Sequence, residues 1–165
     1  MKTRSSPVWR GLFRLTLLAA AAAPGFAWAY TCTVGATSTA FGVYAPSAAS
    51  PTDSTGAITV TCSPNIVSLP ITYTVALSSG GAGSYASRRM ASGANTLLYQ
   101  LYSNATHATV WGDGTAATSV VGGGFTLGLI FPVSATHTVY GRMPALQSGA
   151  VAGGYSDTIT VTLTY

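Results

Sequence analysis

The last eleven residues of the chain alternate between two kinds of side chain, and this pattern constrains the fold more than any other feature. Odd positions from 155 to 165 carry Tyr, Asp, Ile, Val, Leu and Tyr, and every position between them carries Ser or Thr. A period of two places successive side chains on opposite faces of an extended strand. The sequence therefore predicts a β-strand over residues 155–165, buried on its Ile/Val/Leu face and lined with Thr on the other.

Similar short patterns recur through the chain and predict further strands. These lie at Gly56–Cys62, Leu69–Leu77, Leu97–Tyr102, Val110–Trp111, Thr126–Val133 and Thr136–Met143. Residues 33–44 are ambiguous and could supply a first strand that bends at Gly42, whereas residues 46–55 are predicted to form a loop. Glycine-rich turn clusters are predicted at 78–84, 112–114, 122–124 and 152–154.

Helical patterns are missing after residue 30. No window of about eleven residues there keeps a 3.6-residue apolar period, and this part of the chain contains neither Glu nor Lys. The predicted fold class is therefore all-β. Many short strands separated by turns favour an immunoglobulin-like antiparallel sandwich, with a closed barrel as the alternative.

The N-terminal segment has the composition of a secretory signal. Four basic residues precede an apolar run over 15–23, and Ala27-Trp28-Ala29 offers the small residues that a signal peptidase requires. An uncleaved membrane anchor is the competing interpretation, but residues 15–28 are too short for a span and contain Pro24-Gly25. We therefore expect a signal peptide at 1–29, which is removed, and one domain at 30–165.

The charge of the chain lies mainly in that signal. The whole sequence carries a formal charge of +4, but residues 30–165 contain three Arg and three Asp and are neutral. Binding to nucleic acid needs a basic surface, so that function class is excluded. No transmembrane segment is predicted after cleavage, because Ser, Thr and Gly interrupt every later apolar run.

Two cysteines, Cys32 and Cys62, remain in the exported chain. An oxidising compartment normally bridges such a pair, so a disulfide is the first expectation. A catalytic or metal-binding thiol is the weaker alternative, because the sequence has no CxxC motif and no nearby His.

Candidate catalytic and metal-ligating residues are sparse. His107, His137 and Asp113 match no common ligand spacing, and no motif typical of a hydrolase or a nucleotide-binding loop occurs. We expect no enzyme activity, no metal and no cofactor. Both histidines are expected on solvated loops or strand ends, and Asp113 in a tight Gly-Asp-Gly turn.

Two further side chains have open interpretations. Trp111 is expected either in the core, which is slightly favoured, or exposed as an adhesive aromatic. Arg142 lies in a strand-like run and could pair with Asp157 across a sheet.

Six segments, taken in order, resemble the spore coat protein U domain family, which includes subunits of archaic, Csu-type chaperone-usher pili. They are Thr31–Val34, Phe41–Tyr44, Ile58–Cys62, Tyr99–Tyr102 with Val110–Thr115, Val139–Arg142 and Gly154–Tyr165. The resemblance covers essentially the whole chain after the signal.

The resemblance implies an incomplete immunoglobulin-like fold that lacks one strand. A periplasmic chaperone first supplies that strand, and a neighbouring pilus subunit replaces it during assembly at an outer-membrane usher. Strand addition of this kind combines backbone hydrogen bonds at an open edge with alternate side chains that fill the core. The residues expected at the accepting edge are Tyr155, Ile159, Val161, Leu163 and Tyr165.

One feature departs from the family pattern. A polymerising subunit needs a donor segment before its first cysteine, but only Tyr30 and Thr31 separate the predicted cleavage site from Cys32. The sequence thus predicts a subunit that accepts a strand but donates poorly, which suits the tip or the end of a filament.

The function expected from the sequence is that of a secreted structural subunit of a surface pilus, serving adhesion or biofilm formation. A coat protein of a cell or spore surface, assembled without an usher, is one alternative. A self-contained carbohydrate-binding sandwich is the other, and exposed aromatics around Tyr99, Tyr102 and Trp111 would favour it.

Overall fold

The computed structural model describes residues 30–63 and 68–165, and these residues form nine β-strands and one short 3-10 helix, Gly80–Ala82. The strands are β1 (Cys32–Thr37), β2 (Thr52–Cys62), β3 (Leu69–Leu77), β4 (Arg89–Ser92), β5 (Asn95–Leu98), β6 (Gln100–Tyr102), β7 (Val121–Leu127), β8 (Val133–Met143) and β9 (Val161–Thr164). The predicted signal peptide at 1–29 lies outside the described residues. Within them, no helix is long and apolar enough to cross a membrane.

The strands pair into two larger sheets and one separate hairpin. The first sheet has the order β1-β2-β8-β6, the second has the order β7-β3-β9, and β4 pairs with β5. Every one of these strand pairs is antiparallel. The longest ladder joins β2 to β8, from Thr52 opposite Met143 to Cys62 opposite Val133.

The two larger sheets enclose one apolar core. Alternate residues of β2 and β3, such as Ile58, Val60, Tyr73 and Val75, are buried and belong to the same cluster. This is the result expected from side chains that point alternately to the two faces of each strand. The predicted all-β class and antiparallel sandwich are confirmed. The sheets remain separate, so the barrel alternative is wrong.

Several predicted boundaries need correction. The strand at 69–77 is confirmed, but β2 begins at Thr52, inside the predicted loop, because its pairing with β8 extends to Met143. The strand predicted at 126–133 ends at Leu127. The run at 97–102 is split at Tyr99, and Val110 and Trp111 form only isolated bridges.

The predicted glycine turn at 122–124 is also wrong, since these residues lie inside β7. Gly123 lies opposite Tyr73 of β3, and a Cβ at position 123 would overlap the Tyr73 phenol. Glycine at this position makes room for a large neighbour rather than reversing the chain direction.

Candidate functional site: an apolar groove between two sheet edges

An open space separates the edges of the two larger sheets. β1 is the outer strand of the first sheet and β9 is the outer strand of the second, so both present an edge that pairs with no other described strand. The space between them has a volume of about 500 Å³. We call this space the groove. Its lining residues are Ala36, Thr37, Ser38, Thr39, Ala40, Phe41, Ile58, Leu77, Met90, Tyr99, Leu101, Val139, Tyr155, Ser156, Asp157, Thr158, Ile159 and Val161.

The floor of the groove is part of the protein core. Ile58, Leu77, Leu101 and Val139 line the groove, and each belongs to the buried apolar cluster. An apolar floor that is reached from outside between two strand edges offers contacts to the side chains of an added strand.

The groove continues into a second space of about 650 Å³. Five residues line both spaces: Thr39, Ala40, Phe41, Met90 and Tyr155. The second space extends to the loop at 150–154. Because the two spaces share these residues, the lining continues from the strand edges to this loop, which suits an extended chain.

The sequence predicts one continuous strand over 155–165, but the structure shortens it. Only Val161–Thr164 forms β9, which pairs with β3. Val161 lies opposite Leu77, and Thr164 lies opposite Thr74. Residues 155–160 lack a regular ladder, although Ser156 bridges to Ala91. We refer to residues 155–161 as the β9 wall of the groove.

The five residues predicted at the accepting edge lie on two different parts of this region. Tyr155, Ile159, Val161 and Leu163 are half-buried and pack against the core cluster. Tyr165 is 49% exposed and its ring lies 5.7 Å from that of Tyr30. Tyr155, Ile159 and Val161 line the groove, whereas Leu163 and Tyr165 lie beyond it.

The backbone of the β9 wall faces the groove at alternate residues. Ser78 N–H donates to Thr160 O at 3.0 Å, so Thr160 turns its carbonyl toward β3. The amide of Leu77, opposite Val161, donates instead to Gly112 O at 3.0 Å and therefore points away from β9. Because antiparallel pairs alternate in this way, the backbone groups of Ile159, Val161 and Leu163 point to the open side.

Asp157 and Tyr99 form a polar contact inside the groove lining. The Tyr99 hydroxyl donates to Asp157 Oδ2 at 2.6 Å, and Asp157 Oδ1 accepts from Gly81 N–H at 2.9 Å. Burial, with the hydrogen bond to Asp157 as a second cause, raises the pKa of Tyr99 far above its usual value. The predicted pairing of Asp157 with Arg142 is wrong.

Arg142 pairs instead with Asp53, which is its direct partner across β2 and β8. Its Nε and one terminal nitrogen each donate to the Asp53 carboxylate at 2.7 Å. The hydrogen bond from Arg142 lowers the pKa of Asp53. The sequence missed this pair because Asp53 falls in a segment that it predicts as a loop.

Arg88 is buried without a carboxylate partner among its hydrogen bonds. Its guanidinium donates to Ser78 O at 2.7 and 3.2 Å, to Trp111 O at 2.8 Å and to Gln100 Oε1 at 2.7 Å. Burial lowers the pKa of Arg88. The sequence indicates no role for Arg88, because its Arg-Arg context gives no sign that one arginine is buried.

The aromatic residues do not form an exposed platform. Trp111 is fully buried and donates its indole N–H to Val75 O at 2.9 Å, which confirms the core interpretation. Tyr99 is only 6% exposed. The exposed cluster that would favour a carbohydrate-binding sandwich is therefore absent from this part of the described chain.

The two histidines and Asp113 make contacts within the fold. His137 lies within β8, not at a strand end, and contacts the Tyr73 hydroxyl at 2.8 Å. His107 lies on a loop as predicted, yet its side chain is only 10% exposed. Asp113 accepts two hydrogen bonds from Thr115 in the predicted turn. No three His, Cys, Asp or Glu side chains among the described residues could together hold a metal ion.

The predicted disulfide is present. Cys32 of β1 and Cys62 of β2 lie opposite each other in the ladder and are joined by an S–S bond. The bond anchors the start of β1, and residues 36 and 37 of that strand line the groove. It therefore fixes one side of the groove to the sheet behind it.

Comparison with known proteins identifies a family and a similar fold. The model of the Spore Coat Protein U domain family matches residues 17–162. One similar solved structure is the CsuC-CsuE chaperone-tip adhesion subunit pre-assembly complex from archaic chaperone-usher Csu pili of Acinetobacter baumannii. The identity is 21% and the TM-score is 0.53, over 83% of this chain and 40% of that chain. No curated protein matches the chain.

Proposed function

The chain belongs to the spore coat protein U domain family, and from this premise we propose that it is a secreted structural subunit of an archaic chaperone-usher pilus. The groove accepts a β-strand from another protein, and the subunit acts through this assembly without catalysis. Residues 1–29 direct export and are removed, and residues 30–165 form the assembling domain. The protein passes through the periplasm to the cell surface.

The observation that carries the proposal is the apolar groove beside an unpaired strand edge. An incoming strand gains backbone hydrogen bonds from Ile159, Val161 and Leu163, and its alternate side chains cover the floor. An open strand edge that finds no such partner favours aggregation. A subunit of this kind needs a partner strand as soon as it is exported.

The proposed partners are a periplasmic chaperone, an outer-membrane usher and neighbouring subunits. Support for the chaperone comes from the fold likeness to a subunit that was solved with a chaperone.

That subunit is described as a tip adhesion subunit, and this chain spans 40% of the matched chain. We assign the present subunit to the tip or the end of a filament. Immunogold labelling of surface filaments tests this position, and gold along the shaft would contradict it.

Adhesion is the proposed role at the surface. The loop between β7 and β8 exposes three consecutive apolar residues: Leu129, Ile130 and Phe131 are 61%, 73% and 75% exposed. An exposed apolar cluster of this kind is typical of an interaction surface. Replacing Ile130 and Phe131 by Ser should reduce attachment of piliated cells, whereas Leu146→Ser, at another exposed position outside the groove and its continuation, should leave it unchanged. Equal attachment by both variants would argue against an adhesive role for this loop.

The first experiment tests strand acceptance itself. The exported chain is produced in a periplasm that contains no pilus chaperone, and its size and urea unfolding are measured. We expect aggregation or degradation, with recovery as a one-to-one complex when a chaperone or a strand peptide is supplied. A stable monomer that unfolds cooperatively by itself would contradict the proposal and favour a coat protein assembled without an usher.

Two proline variants separate strand acceptance from folding. The amide of Val161 points to the groove, so Val161→Pro removes a donor from the open edge and leaves the β3–β9 ladder bonds in place. Thr162→Pro removes an amide that points to β3 and should impair folding instead. We expect Val161→Pro to weaken complex formation while retaining the sandwich. Normal complex formation by this variant would place the accepted strand elsewhere.

A further inference from the structure

Side chains at residues 155–160 of the β9 wall alternate between half-buried and exposed, as in a strand, although these residues have no regular sheet partner among the described residues. An apolar groove beside such a segment would lose exposed surface if the wall moved inward. Contacts with neighbouring side chains and turns must therefore hold it in place. Three sets of contacts do so, at Ser156, Asp157 and Thr160.

The contacts at Ser156 and Thr160 fix the two ends of the segment 155–160. Ser156 exchanges backbone hydrogen bonds with Ala91 of β4, at 2.8 and 3.1 Å. Thr160 N–H donates to Ser78 Oγ at 2.9 Å, while Ser78 N–H donates to Thr160 O. Ser78 is itself held through its carbonyl by the buried guanidinium of Arg88. Both contacts connect the β9 wall to residues away from β1.

The second contact lies between these ends and involves a buried phenol. Asp157 accepts from Tyr99 O–H at 2.6 Å, from Gly81 N–H at 2.9 Å and from Thr158 N–H at 2.8 Å. The fit is close, because a Cβ at Gly80 would overlap the Asp157 carboxylate. The Tyr99 ring lines the groove and packs edge-on against Phe41 of the opposite wall, with centroids 6.0 Å apart.

We propose that the Tyr99–Asp157 hydrogen bond is a positioning contact that holds the groove open for the incoming strand. This inference rests on the proposed function and adds to it a named residue pair that controls how readily the strand enters. Losing the bond lets the wall move toward β1, so that only a fraction of molecules presents an open groove. The observed affinity and rate of strand binding then fall in proportion to that fraction.

Tyr99→Phe tests the proposal because it removes one hydroxyl and keeps the ring. The matched control is Tyr73→Phe, which removes the hydroxyl of another buried tyrosine, hydrogen-bonded to His137 and outside the groove lining. The probe is a labelled synthetic peptide in which valine alternates with threonine, with lysines at its end for solubility. Its binding to the exported, disulfide-bonded chain is followed by stopped-flow fluorescence during refolding.

A hydrogen bond to a carboxylate is strong enough for its loss to slow peptide association about tenfold in Tyr99→Phe. Tyr73→Phe should stay within about twofold of the original rate, because its hydroxyl lies away from the wall. Asp157→Asn, which keeps an acceptor for Gly81 and Thr158, should reproduce part of the slowing if Tyr99→Phe fails to refold.

The outcomes distinguish this inference from the function on which it rests. If the unmodified chain does not bind the peptide, the proposed function fails. If it binds and Tyr99→Phe binds at the same rate, only the positioning role is overturned. Equal slowing in Tyr99→Phe and Tyr73→Phe would also overturn it, because the effect would then be general destabilisation.

Discussion

Arg88 shows how much structure one side chain can connect. It donates to the carbonyl groups of Ser78 and Trp111 and to the side chain of Gln100, so it joins the end of β3, the start of β6 and the segment beyond it. A planar guanidinium with five donors suits this task, and a lysine could not reproduce its geometry.

Replacing Arg88 by Met should therefore destabilise the protein by about 3 kcal/mol, because buried acceptors lose their donor. The measurement is urea unfolding of the subunit in complex with a donor strand. Arg89→Met is the matched control, since Arg89 is the next residue and is exposed. Its effect should stay within about 0.5 kcal/mol. Similar losses in the two variants would contradict the role assigned to Arg88.

The disulfide between Cys32 and Cys62 is the second contact between individual residues that is expected to stabilise the protein. Exchanging Cys32 and Cys62 for Ser should cost about 2–5 kcal/mol and release the start of β1, the strand whose other end lines the groove. Urea unfolding of oxidised and substituted protein measures the cost. Equal unfolding midpoints would show that the β1–β2 ladder alone holds this edge.

Residue pairings differ in how well the sequence predicts them. The disulfide is predictable because residues 30–165 contain only two cysteines. The partner of Arg142 is not, because a period-2 pattern identifies the faces of a strand but not its register against a distant strand. Tyr99 and Asp157 are 58 positions apart, and no local pattern connects them.

The boundaries of strands are also hard to predict, because they depend on partners that are distant in the sequence. Leu69–Leu77 agrees with the predicted segment, because Ile71, Tyr73, Val75 and Leu77 alternate along it and a glycine-rich turn cluster follows from residue 78. β2 is longer than predicted because β8 provides a partner for Thr52–Thr55. The wall at 155–160 has the pattern of a strand but lacks a regular ladder, since hydrogen bonding depends on a neighbour that the pattern cannot supply.

The pair Asp53–Arg142 joins β2 to β8 and should make stability depend on pH. The folded-state pKa of Asp53 is lowered from 3.8 by its hydrogen bond to Arg142. The stabilisation is therefore complete above about pH 4 and is lost as the pH falls through the folded-state value. The Asp53 side chain is 45% exposed, so the contribution should remain below about 1 kcal/mol.

Arg142→Gln provides the comparison for this prediction. The difference in unfolding free energy between the two proteins should be constant near neutral pH and should shrink below pH 4. Denaturant unfolding across this pH range measures it. A difference that is unchanged at the lowest pH would assign the effect of the substitution to packing rather than to the ion pair.

At the scale of the whole molecule, we expect that one added strand in the groove lets the chain fold as a stable monomer. A chain extended after Tyr165 by a flexible turn and an alternating Val/Thr strand can fold back along the open side of β9. Each apolar side chain buried in this way contributes roughly 1.5–3 kcal/mol. The extended chain should be a soluble monomer with a higher urea midpoint than the chain without the added strand. Its m-value should also be larger, because more surface is exposed on unfolding.

A control strand of the same composition, with Val and Thr exchanged, makes this test specific. A shift of one residue turns every apolar side chain from the core face to the solvent face, although the backbone can form the same hydrogen bonds. If backbone pairing alone completed the fold, both extended chains would be equally stable. The groove predicts instead that only the strand with its valines facing Ile58, Leu77 and Val139 gives the stable monomer, because these residues form the apolar floor. The added strand would also occupy the open edge, so this monomer should no longer bind the alternating peptide. Continued peptide binding would show that strand acceptance uses a different edge of the molecule.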